Sequence, residues 1–206
     1  MPTYTLNIDF PKQDLDTLYK AGEKVTLIKQ SANGQPVAWV CFYPFENNTV
    51  TWEEEYAIYA STTQIQGGAT IQKMSDEMAR AQMLYAFQNG NFGTPSPSGR
   101  LSEGQYGVIN QTPLDQAEGL CFGLAQNVQV NGTAYPNRPI NADWVPSKHV
   151  ATFTPYENIK LFMNSSIQDG MVVTDVFSPS LTLTFGGSTT EITANYNATT
   201  GSFAQA

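Results

Sequence analysis

Tyr4-Thr5-Leu6-Asn7-Ile8-Asp9-Phe10 decides the fold class of this chain. Apolar and polar side chains alternate strictly through it, the period of two that marks a strand with one buried and one solvated face. Pro11 stops the run. The same alternation returns further on. Val50, Trp52, Tyr56 and Ile58 share one face of a strand predicted over residues 50–60, with Glu54 on that face if the register is unbroken. Leu120, Phe122, Leu124, Val128 and Val130 share a face of a later one, and Leu181-Thr182-Leu183-Thr184-Phe185 opens a C-terminal pair.

Other stretches fit the same architecture. Val37 to Tyr43 is apolar on both faces, as in a strand covered from both sides. Further strands are predicted over 24–30, 69–72, 106–110, 149–153, 158–163, 171–177 and 190–196. Turn dipeptides punctuate them: Asn33-Gly34, read as a type I′ hairpin, Asn131-Gly132, Asp169-Gly170 and Gly186-Gly187. Residues 75–88 fit a helix through Met78, Ala81 and Tyr85, or a strand through Met83, Tyr85 and Phe87; the β-rich surroundings favour the strand. One helix is predicted over 14–21, where Leu15, Leu18 and Tyr19 fall at i, i+3 and i+4 and Gly22 follows as a cap. The expected fold is all-β: an antiparallel β-sandwich of about 11 short strands with one short helix near the N-terminus. Residues 1–206 read as a single such domain, with long Gly- and Pro-rich loops at 89–104 and 133–147.

Composition narrows the function. Of 206 residues only 14% are charged, with 18 acidic against 10 basic side chains and a net charge of −8. That balance argues against nucleic acid, whose binding needs a lysine and arginine footprint. It also argues against docking on anionic lipid by charge alone. No apolar run reaches the length of a membrane helix, so no transmembrane helix is expected. The start carries no signal-peptide pattern, which places the protein in the cytoplasm or on a leaderless export route. Cys41 and Cys121 lie in apolar strands and read as buried free thiols.

Catalytic and metal signatures are thin. His149 is the one histidine, and neither a nucleophile elbow nor a metal-ligand spacing accompanies it. No metal or cofactor is therefore expected. Glu53-Glu54-Glu55 is the one charge cluster. Glu53 and Glu55 pair on one face of a strand, where solvent tolerates them. Glu54 falls on the other face, and if inward it demands a cation or hydrogen-bond donors. Between 133 and 147, Trp144 and Tyr135 stand near Asn137, Asn141 and Asp143. Aromatic rings stack on apolar sugar faces while amides and carboxylates take the hydroxyls. These five residues with Glu54 form the predicted binding site.

The general make-up is similar to small β-sandwich cytolysins and to fungal or bacterial lectins. That resemblance implies a non-enzymatic binding protein, lectin-like or pore-forming-toxin-like, recognising a neutral glycan or lipid on a cell surface. The C-terminal pair from Ser180 to Tyr196, rich in Ser and Thr, reads as a hairpin suited to a membrane barrel or to edge pairing with another copy in a homo-oligomer. The alternatives are a self-assembling structural β-protein and, third, a carbohydrate-active enzyme working through Glu54.

Overall fold

The structure, a computed structural model, describes residues 2–206. In chain order its elements are β1 (Thr3–Asp9), α1 (Lys12–Ala21), β2 (Lys24–Ser31), β3 (Gln35–Pro36), β4 (Ala38–Phe42), β5 (Asn47–Glu53), β6 (Tyr56–Ser61), β7 (Lys73–Ala79), β8 (Met83–Gln88), β9 (Asn91–Phe92) and β10 (Ser96–Pro97). Then come β11 (Tyr106–Asn110), β12 (Gly119–Val130), β13 (Thr133–Pro139), β14 (Asn141–Pro146), β15 (Val150–Phe153), β16 (Pro155–Asn164), β17 (Ser180–Thr184), β18 (Glu191–Asn197) and β19 (Ser202–Gln205). The fold is all-β. Its one helix among the described residues, α1, is neither long nor apolar enough to cross a membrane. It ends on Gly22 in the left-handed conformation, whose N–H caps the carbonyls of Leu18 and Tyr19.

Ten strands form a large sheet curled into a half-barrel, with β12 as its spine. β12 spans 12 residues and changes partners along its length. Cys121 to Gln126 pair with β6, Gln129 and Val130 with β5, while β14 and β13 pair in turn along its other edge. A four-stranded sheet runs β17-β16-β2-β4, and a five-stranded one is built on β8 and β11. One apolar cluster joins all three: Leu6, Trp52 and Leu124 from the large sheet, Leu27, Trp39 and Leu161 from the four-stranded one, Tyr85, Phe87 and Val108 from the third. Fully burying a side chain of this size contributes about 1.5–3 kcal/mol, so the cluster is what holds the sheets together.

Several expectations change here. The described residues form 19 strands, in part because the short β9 and β10 lie in the segment 89–104 read as a loop. Residues 75–88 are β7 and β8, strands as the surroundings favoured, separated by Gln82 at positive φ. The strand expected over 50–60 is cut in two: β5 ends at Glu53, the Glu55 N–H turns back onto the Glu53 carbonyl, and β6 restarts at Tyr56. Residues 133–147 are not a loop but β13 and β14, both bonded to β12. Pro136 and Pro139 fit because β13 pairs only with β12 and lies beside its bulge, where a missing N–H costs little. Residues 171–177 form no strand; Met171 and Val172 make isolated bridges and Val172 and Val173 plug the core from an irregular segment. The Ser180–Tyr196 hairpin does not form. Its halves part into different sheets, β17 against β16 and β18 parallel to β1.

Candidate functional site

The most concentrated chemistry lies inside the protein. Lys29 occupies β2 at the same parity as Val25 and Leu27, so its side chain follows theirs into the core and is 1% exposed. Its ammonium lies 2.7 Å from Glu157 Oε2 on the neighbouring strand β16 and 2.6 Å from Gln126 Oε1 on β12. Three rings wall it: Trp39 at 5.3 Å, Trp52 at 5.4 Å and Tyr56 at 5.3 Å from the cation to each ring centre. Glu157 is held in turn by donors from Trp52 Nε1 (2.8 Å) and the Tyr56 hydroxyl. Gln126 Nε2 donates to the Glu53 carbonyl at 2.6 Å. Each polar group in this box thus has partners, the condition for keeping charge in an apolar interior.

Burial dominates the acid–base behaviour. It pushes Lys29 down to about 8, with the Glu157 charge pulling the other way. It pushes the Tyr106 hydroxyl up to about 12 and Tyr4 upward, and in both the nearby Glu54 carboxylate adds to the effect. A phenol raised in the folded state keeps its proton while the unfolded chain has lost it, so stability falls as pH rises from about 10 towards 12. The urea midpoint is therefore expected to drop across that window. Tyr106→Phe should make the drop shallower, and an unchanged slope in that variant would count against the assignment.

A second site is open to solvent. Where β5 ends, a groove of about 540 Å³ is lined by Thr51, Glu53, Glu55, Asn127, Gln129 and Tyr135, among others. The Arg138 guanidinium stacks on Tyr135 at 5.2 Å and reaches Asp169 at 3.5 Å, so the ring is held in place. Asn127 stands at the β12 bulge, its Oδ1 accepting the Asn137 N–H at 2.8 Å. The groove thus joins an aromatic face, two carboxylates and two amides.

The predicted residues divide between several places. Tyr135 lines the groove. Asn137 lies at its back at positive φ, where its carbonyl accepts from Lys73. Asn141 is fully buried and committed: its Oδ1 accepts the Leu124 N–H at 2.7 Å and its Nδ2 donates to Ser31 Oγ and the Asn33 carbonyl. Trp144, 42% exposed, and Asp143 border a separate depression of about 400 Å³ beside His149. Glu54 is exposed at the bend after β5, so the inward carboxylate among the aromatics is Glu157 instead. The His149 ring nitrogen Nδ1 lies 2.9 Å from the Ser147 carbonyl two residues back, and no group of residues placed to hold a metal occurs among the described residues. Both cysteines are free, and burial pushes each thiol up to about 12.

Lys29, Gln126 and Glu157 escaped the sequence reading, yet a signal exists. Each fills an inward position in an otherwise apolar row: Val25-Leu27-Lys29, Leu124-Gln126-Val128 and Glu157-Ile159-Leu161. No protein-family model, no curated protein and no solved structure matches this chain.

Proposed function

We propose that this chain is a non-enzymatic, lectin-like binding protein whose groove beside Tyr135 takes a neutral glycan. The observation that carries the reading is the groove's lining. Tyr135 brings an aromatic ring held by Arg138 to the groove, and Glu53, Glu55, Asn127 and Gln129 bring carboxylates and amides to the same lining. A neutral ligand is consistent with a chain of net charge −8 and few charges overall. In this reading the curled large sheet and the four-stranded sheet are the two leaves of a β-sandwich, which the shared core supports. Recognition of lipid is the second reading, favoured by the exposed aromatics Tyr19, Tyr43 and Phe45 grouped at the end of α1.

A glycan array with the purified chain, and a leakage assay on neutral vesicles, test the two. Binding on the array is expected, with Tyr135→Ala weakening it roughly 30-fold, the effect of removing a central aromatic contact worth about 2 kcal/mol. Trp144→Ala is expected to leave it unchanged. Loss in Trp144→Ala but not in Tyr135→Ala would move the site to the Trp144 depression. Silence on the array together with vesicle leakage would replace the glycan reading by the lipid one.

A further inference from the structure

The geometry of the buried box points to a covalent cross-link: we propose that the Lys29 amine condenses with the Gln126 side-chain amide, assisted by Glu157, to form an isopeptide bond between β2 and β12. Three observations converge on it. The amine already touches the amide group it would attack: Lys29 Nζ lies 2.6 Å from Gln126 Oε1, which is one bond away from the electrophilic Cδ. A carboxylate capable of moving protons touches the same nitrogen, with Glu157 oxygens at 2.7 and 2.9 Å. The site excludes bulk water, since Lys29 and Gln126 are buried and three aromatic rings surround the amine. Burial, which lowers Lys29 to about 8, also raises the share of free-base amine near neutrality.

The step balances within these residues. Glu157 takes one proton from the Lys29 ammonium. The freed lone pair forms a bond to Gln126 Cδ, and the carbonyl electrons move onto Oε1. A second proton from the attacking nitrogen passes through Glu157 to the amide nitrogen. The carbonyl re-forms as the Cδ–Nε2 bond breaks, and its electron pair departs with ammonia. With the first proton returned from Glu157, the product leaves as ammonium and carries away the positive charge that Lys29 brought in. Glu157 remains a carboxylate, satisfied by Trp52 and Tyr56. No oxidant or external co-reactant is needed. The bond would tie together two sheets through residues 97 positions apart.

Intact-mass measurement on the purified full chain is the direct test. A deficit of about 17 Da, the mass of one ammonia, is expected. Trypsin should then fail to cut after Lys29 and should release residues 25–73 joined to residues 101–148, because Arg138 precedes a proline. Fragment ions linking Lys29 to Gln126 would establish the bond. The full sequence mass would overturn the proposal. So would a 17 Da deficit that maps to a succinimide at Asn33-Gly34, Asn89-Gly90 or Asn131-Gly132. Glu157→Gln, which keeps the shape and removes the base, should show the full mass; a linked Lys29–Gln126 pair in that variant would overturn the part assigned to Glu157.

Discussion

In a chain that still carries the free Lys29 ammonium, with no bond to Gln126, Glu157→Leu is expected to lower the free energy of unfolding by about 3–5 kcal/mol, the usual cost of leaving one member of a buried pair alone. The argument does not rest on the ion pair itself. A buried pair gains Coulomb energy but loses hydration, and the balance between those terms is small. The cost comes from what the substitution strands. Lys29 has no route to water at 1% exposure, and the Trp52 N–H and the Tyr56 hydroxyl lose their acceptor at the same time. Each buried donor left without a partner costs about 1–3 kcal/mol. The three rings around Lys29 soften its isolation without replacing the carboxylate. Adding Lys29→Met to Glu157→Leu should restore part of the loss, because the stranded amine is then gone and a flexible apolar chain fills its space. Urea titrations of the wild type, both single variants and the double variant form the cycle that measures this coupling. A Glu157→Leu loss below about 1 kcal/mol, the range of an exposed pair, would mean that the box is wetter than its geometry implies.

The same residues show how far the sequence could be read. Side-chain parity placed the strands and their inward faces correctly at β1, β12 and β17, because period-two alternation is a local property of extended chain. Parity also marks Lys29, Gln126 and Glu157 as inward polar residues. What it does not carry is which strands lie opposite one another. Glu157 meets Lys29 across the β2–β16 ladder, and Gln126 arrives from a different sheet, so the box exists only after long-range pairing. The C-terminal segment fails for the same reason. β17 and β18 alternate as a hairpin would, but β18 finds β1 as a parallel partner, and nothing local in Glu191–Asn197 specifies that choice. Glu54 was misplaced by a single-residue effect. The bend after Glu53 lifts Glu54 out of the strand into solvent, while Tyr56 and Ile58 keep the inward parity of Val50 and Trp52. In the groove beside β5, Tyr135 was legible as a loop aromatic. Asn127 and Gln129 were not, because the bulge in β12 that presents Asn127 leaves no sequence mark.

Gly123→Ala is the other substitution expected to be severe, with a loss above about 3 kcal/mol and poor recovery of folded protein. Gly123 sits in β12 opposite Tyr59 of β6, and a methyl there would run into the Asn141 carbonyl oxygen and lie 2.8 Å from the Tyr59 ring. Neither neighbour can move cheaply. The Asn141 carbonyl accepts the Tyr59 hydroxyl at 2.6 Å, and its side chain pins the Leu124 N–H and the Ser31–Asn33 turn. Shifting that backbone would break several buried hydrogen bonds at once, and Tyr59 has no free space to enter because it is fully buried. Two other glycines calibrate the expectation. At Gly119 a methyl meets the Trp144 indole at 2.7 Å, but that ring is 42% exposed and can swing into solvent, so a loss of about 1 kcal/mol is expected. At Gly99 nothing lies within 4 Å, and the substitution should be nearly neutral. Thermal or urea unfolding of the three alanine variants should therefore rank Gly123 far below Gly119, and Gly119 below Gly99. A Gly123→Ala protein as stable as Gly119→Ala would mean that β12 and β14 separate more readily than the hydrogen bonds of Asn141 allow.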